Sequence, residues 1–185
     1  GSNVYAMKGM FPGTFSRPLG AWADRRLMRA EAIDVSKVEI QLAGEEAIVL
    51  LPSEDEVPVW SLSDPSVLPT DFQFDALTAR SVVKTVLGLS VREFVEGRSQ
   101  GSEAFSQADQ IVVSFKDKSR ETQTVLLGKN LSEKLVYAKR MPGDETFILS
   151  AHSAQLLRRK ISDYRDLRVM RFDIRSVVGL RMKQG

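Results

Sequence analysis

The sequence contains no cysteine, one histidine and two tryptophans among its 185 residues. Without thiols it forms no disulfide and no thiolate metal site, and the lone His152 falls short of the several spaced ligands a metal centre needs. No apolar run approaches the ~18–20 residues required to cross a bilayer. A dominant charge is missing as well. The 26 Lys and Arg stand against 24 Asp and Glu, a formal net charge of +2, which gives no electrostatic case for nucleic acid. A cysteine-free chain is at home on either side of a membrane, so the compartment stays open. Gly1-Ser2 reads as an expression scar and no Met precedes Asn3; a leader or anchor cut away upstream would leave no trace.

What is present is ordinary in amount and uneven in placement. Hydrophobic residues make up 43% and charged residues 27%, the balance of a soluble globular chain with a real core. From Glu45 to Asp75 there are eight acidic residues and no Lys or Arg, whereas Arg158 to Lys183 holds nine basic residues against three acidic. Two solvated faces are the plain reading. The sharper one is that the two stretches face each other, within one chain or between neighbours.

The hexamer DRRLMR (Asp24 to Arg29) returns as DLRVMR (Asp166 to Arg171), 142 residues later. Upstream, Val4-Tyr5-Ala6 answers Val136-Tyr137-Ala138, and Thr14-Phe15 answers Thr146-Phe147, both 132 residues apart. Downstream, Val38, Ile40 and Leu42 answer Val178, Leu180 and Met182 at 140. The order of these echoes reads as a tandem duplication with a partial unit at each end of one α+β domain spanning 3–185. On that reading 3–29 ends one unit, 30–171 is the next, and 172–185 opens a further or closing unit with a strand.

Local patterning predicts antiparallel β-meanders with two main helices. Val35 to Leu42 and Ala47 to Leu51 form a hairpin, and Pro58 to Leu62 a third strand. Asp75 caps a helix over 76–87, with Leu77, Val82, Val83, Val86 and Leu87 on its apolar face and Gly88 at its end. A strand follows at 91–95, then a polar loop over 96–108. Strands at 110–115, 122–127, 135–139 and 146–149 make a meander, and a second helix runs from 151 to 164 with Ala154, Leu157, Ile161 and Tyr164 on one face. Strands, helix, strands, helix is an α+β order, which disfavours a doubly wound nucleotide fold.

The segments SDYRDLRVMRFDIRSVVGLRM and WADRRLMRAEAIDVSKVEIQL resemble a signature of the bacterial family known as domain of unknown function 4340. Further likeness lies in Trp60-Ser61-Leu62 before a Pro-containing loop and helix, and in Val125 to Gly128 followed by Val136-Tyr137-Ala138. The resemblance implies a domain displayed outside the cytoplasm, periplasmic or cell-surface, and held by an N-terminal anchor in the parent protein. It also implies company with gliding-type ABC transporter systems. This chain, read as starting inside a repeat, departs from that pattern by lacking the anchor. The family has no established catalytic residues, so none is carried over.

Reaction chemistry is thin. Gly97 to Gly101 fits G-x-S-x-G, but a polar stretch follows Ser99, where a hydrolase would pack a helix, and the only available base is His152. Leu127-Gly128-Lys129-Asn130 lacks the first glycine and the Ser/Thr of a phosphate-binding loop. Ser53 to Glu56 lacks the alternation and glycine of a calcium loop. The recurring Arg25, Arg26, Arg29, Arg168 and Arg171, beside Asp24 and Asp166, form either an anion site or a structural ion-pair cluster. The expected function is a non-catalytic binding or scaffold module, with no cofactor and no metal, whose partners are proteins or neighbouring units. The alternatives are a hydrolase using Ser99 and His152, and a surface-glycan binder presenting Trp22 and Trp60.

Overall fold

The computed structural model describes residues 24–95, 103–143, 145–168, 174–176, 178, 179 and 181. Eight strands form one sheet: β1 (Val35–Gln41), β2 (Ile48–Pro52), β3 (Trp60–Leu62), β4 (Glu93–Phe94), β5 (Asp109–Phe115), β6 (Gln123–Asn130), β7 (Leu135–Met141) and β8 (Thr146–Ser150). Their spatial order is β3-β2-β1-β5-β6-β7-β8-β4, and every neighbouring pair is antiparallel. The expected α+β class with antiparallel meanders and two main helices, α1 (Ala76–Leu87) and α2 (Ala151–Leu157), is what the chain adopts. Pairing of β1 with β5, through Val38 opposite Val113 and Ile40 opposite Ile111, joins the two meanders into one sheet.

Period-two alternation sets the buried face. In β5, Asp109, Ile111, Val113 and Phe115 are buried while the residues between them are not, as strand geometry requires. Val38 and Ile40 of β1, Leu50 of β2, Trp60 of β3, Val125 and Leu127 of β6, and Val136 and Ala138 of β7 complete this face. Both helices share its core through Ala79, Val82, Val83 and Val86 of α1 and Ala154 and Leu157 of α2. α1 begins where Asp75 accepts the Leu77 amide (3.1 Å) and the Thr78 hydroxyl (2.7 Å), and it closes where the Gly88 amide meets the Lys84 carbonyl. Leu77 is 63% exposed and does not belong to the apolar face as expected: two residues, about 200°, separate it from Ala79, and the buried stripe is Ala79, Val82, Val83 and Val86 on the opposite side.

Two expectations need correction. The second helix stops at Leu157 and does not reach Tyr164. The Arg158 guanidinium is drawn to Asp109, and the Asp163 carboxylate then accepts the Lys160 amide (2.9 Å), which starts a separate 3-10 turn over Ile161–Tyr164. The loop after β4 is not wholly irregular, because Glu103–Phe105 form a 3-10 turn with Ala104 buried. The closing strand expected over 172–185 falls mostly on residues outside those described. Ile174–Ser176 make a 3-10 turn and Val178 is fully exposed, while Leu180 and Met182 lie outside the described residues.

The first three residues of the repeated hexamer, 24–26 and 166–168, adopt one local form twice. Asp24 accepts the Arg26 amide (3.0 Å), and Asp166 accepts the Arg168 amide (2.9 Å); each Arg then folds its guanidinium back onto the same carboxylate. Their tertiary pairing differs. Arg26 bridges Ser90, just after α1, whereas in the second copy it is Arg165 that bridges Phe74, just before α1. The two segments therefore tie down opposite ends of α1 with a register difference of three residues. Residues 4–6, 14–15, 169–171, 180 and 182, which carry most of the rest of the repeat, lie outside the described residues.

Candidate functional site

An apolar concavity lies where three chain-distant segments meet: the β1–β2 hairpin, the segment after β3, and the 3-10 turn that follows α2. It encloses about 620 Å³, with Leu42, Ile48, Leu62, Leu68, Phe72 and Ile161 among its lining residues. Its position follows from the acidic and basic stretches of the sequence. Lys160 reaches Glu45 (2.5 Å) and Arg165 reaches Asp71 (2.7 Å). The two oppositely charged regions thus face each other within one chain. Contact with Glu45 raises the Lys160 ammonium above its ordinary value, and Arg165 also lies over the Phe72 ring at 5.9 Å. These exposed pairs are weak individually; they position the walls of the groove and leave its interior apolar.

A stronger polar cluster braces the adjoining end. Asp109 is 8% exposed and sits at an inward position of β5. It accepts the Arg158 Nε (2.7 Å) and the Ala43 amide (3.0 Å). The rest of the Arg158 fork reaches the Asn130 side-chain oxygen (3.0 Å) and the Gly128 carbonyl (2.5 Å). One guanidinium therefore links the end of α2 to β5, β6 and, through Asp109, the β1–β2 turn.

Behind the groove, Tyr164 stacks on Phe74 with centroids 5.8 Å apart and planes 6° from parallel. Its hydroxyl is buried without a hydrogen-bond partner among the described residues, and burial, opposed by the Arg159 charge and aided by Asp163, pushes the phenol up to about 12. An unpartnered buried hydroxyl is costly. Replacing Tyr164 by Phe is accordingly expected to leave stability at pH 7 unchanged or slightly higher. The folded state holds the proton more tightly than the unfolded state, whose phenol titrates near ~10. The Tyr164 contribution is thus intact below about pH 10 and falls by about 1.4 kcal/mol per pH unit until the folded phenol ionises near 12. Urea unfolding at pH 9, 10 and 11 should show this slope in the parent and a flatter profile in Tyr164→Phe; equal slopes would contradict it.

Each remaining candidate residue has a definite place or lies outside the described residues. Asp24 takes Arg26 (3.4 Å) and Arg29 (3.4 Å), and its carboxyl is held below the usual range, chiefly by the Arg26 amide and then by its side chain. Asp166, with its side chain 4% exposed, takes Arg168 (2.7 Å) and raises that guanidinium. Arg26, Arg29 and Arg168 are thus each engaged by a hexamer carboxylate. Arg25 lies apart, beside Arg92, Lys134 and His152. Ser99, Arg171 and Trp22 fall outside the described residues. Trp60 is 2% exposed in the core, so its ring cannot stack on a sugar, which removes one of the two aromatics on which the glycan reading relied. Leu127 to Asn130 belongs to β6. Among the described residues no group of three metal-ligating side chains occurs, and no helix is long and apolar enough to cross a membrane. Sequence reasoning missed the groove and the Asp109–Arg158 pair, although the charge segregation was a visible signal for the first.

No family model, curated protein or solved structure matches the chain.

Proposed function

We propose that the chain is a non-catalytic binding module whose groove takes an apolar segment of a partner protein. The observation that carries this reading is the groove itself. Its volume of about 620 Å³ lies within the ~300–1,000 Å³ typical of ligand sites. The Lys160–Glu45 and Arg165–Asp71 pairs neutralise each other across its walls. The paired charges of Glu45, Lys160 and Arg165 offer little to a charged ligand and Glu46, also in the lining, disfavours an acidic one, so recognition falls to apolar contact with Phe72, Leu68, Val67 and Ile161. The setting we assign is the bacterial envelope, with the module carried by an anchored parent protein and auxiliary to an ABC transporter system, as the residue-level resemblance implies. The shared Asp-x-Arg turn of the two hexamers supports reading the chain as part of a tandem duplication, in which the partner segment would come from a neighbouring unit or another protein.

Selection from a random peptide display library tests the groove whichever protein supplies the natural segment. Binders should converge on apolar-centred sequences. Val67 is 62% exposed, so Val67→Glu should spare the fold while placing an unpaired carboxylate at the mouth. Its affinity for the selected peptides should fall at least about tenfold, the worth of one buried apolar side chain. Charged consensus peptides, or peptides indifferent to Val67→Glu, would contradict the proposal.

A further inference from the structure

A second concavity of about 650 Å³ shares no residue with the groove. It is lined by Arg25, Arg92, Glu93, Glu133, Lys134 and His152, among others. Backbone pairing builds it at one end of the sheet. The Val91 amide bonds the Arg25 carbonyl (2.7 Å), the Arg92 amide bonds the Ile148 carbonyl (2.8 Å), and the Ala151 amide bonds the Lys134 carbonyl (2.9 Å). Three chain-distant cations are thereby gathered around one space. Unlike Arg26, Arg29, Arg158, Arg165 and Arg168, none of the three is drawn into an ion pair among the described residues.

The hexamer repeat sharpens the contrast. Its Asp and its Arg two positions on are occupied with each other in both copies. The position between them is free of that duty, and there the copies differ: Arg25 in the first, the 82% exposed Leu167 in the second. Arg25 is thus not required by the turn, and among the described residues it is the hexamer arginine that lines the cavity.

We propose that this cavity binds the phosphate group of a small hydroxylated phosphate ester. Two guanidiniums and an ammonium supply the forked and point donors that phosphate oxygens accept, and a bound dianion relieves the repulsion among the three cations. Glu93 and Glu133 line the same space and oppose a polyanion. They suit a ligand with a single phosphate whose hydroxyls donate to them.

The test is a titration of the isotope-labelled chain with glycerol phosphate, and separately with inorganic phosphate, followed by amide NMR at constant ionic strength. Saturable shifts should appear at residues 25, 92, 134 and 152, with glycerol phosphate binding tighter than inorganic phosphate. Arg25→Leu, which copies the second hexamer, and Arg92→Gln should each weaken binding at least about tenfold, as expected for one charged hydrogen-bonding partner. Arg80→Ala, on α1 and outside the cavity, should leave affinity unchanged. Linear, unsaturated shifts spread over basic residues in general, or equal weakening by Arg80→Ala, would overturn the proposal.

Discussion

Asp109→Ala and Arg158→Ala should each lower unfolding stability by about 2–3 kcal/mol. Breaking a buried pair by removing one partner ordinarily costs ~3–5 kcal/mol, and the lower figure reflects the 31% exposure of the Arg158 side chain. Loss of Asp109 strands the Ala43 amide and leaves the Arg158 fork with only Asn130 and Gly128. Loss of Arg158 leaves a carboxylate on the core-facing side of β5 with a single backbone donor. Arg158→Lys should not rescue, because an ammonium cannot reach three acceptors in one plane. The double Ala variant should cost less than the two singles added together, since the second removal takes away a charge already without its partner. Urea midpoints at constant m value measure all four variants. Singles within 0.5 kcal/mol of the parent, a threshold of about the size expected for ordinary surface substitutions, would show that the cluster does not brace the fold.

Gly128→Val is expected to be comparably damaging for a steric reason. A Cβ at Gly128 would stand 2.5 Å from the Ala104 carbonyl and 3.0 Å from two ring carbons of Phe105. Backbone is the nearest obstacle, so the Glu103–Phe105 turn must lift from β6 rather than merely rotate a side chain. Overpacking of this kind typically costs ~1–3 kcal/mol, and the same displacement uncovers Ala104, now 3% exposed. The variant should therefore lose about 2 kcal/mol and gain a protease-sensitive site at residues 103–105, read by limited proteolysis and mass mapping. Parental stability together with parental resistance would contradict this packing.

The strands and α1 were legible because each obeys a local rule: alternation in β1 and β5, turn residues between β5, β6, β7 and β8, and an Asp cap with a Gly stop around α1. The break after Leu157 was not, because its cause lies 49 residues away in Asp109. The spacing of Ala154, Leu157, Ile161 and Tyr164 satisfies a continuous helix, and it equally satisfies a short helix followed by a 3-10 turn. Those side chains reach the core or pack on it although the backbone between them does not stay helical. Asp109 did leave a trace, standing at the core-facing phase of Asp-x-Ile-x-Val-x-Phe, where an apolar residue belongs. A charged residue in that phase needs a partner, and the sequence does not say which arginine supplies it. The Asp-x-Arg pairing within each hexamer was legible because its members are two residues apart. The groove was not, since its walls come from segments near residues 45, 68 and 161 and only the opposite charges of those regions hinted at their meeting.

Methyl-detected NMR of the chain bound to a display-selected peptide tests the groove most directly. Binding there should shift the methyl signals of Leu42, Ile48, Leu62, Leu68 and Ile161 and leave those of Leu51, Val57 and Leu167 in place. Shifts confined to Leu51, Val57 or Leu167, with the groove methyls unmoved, would contradict the account.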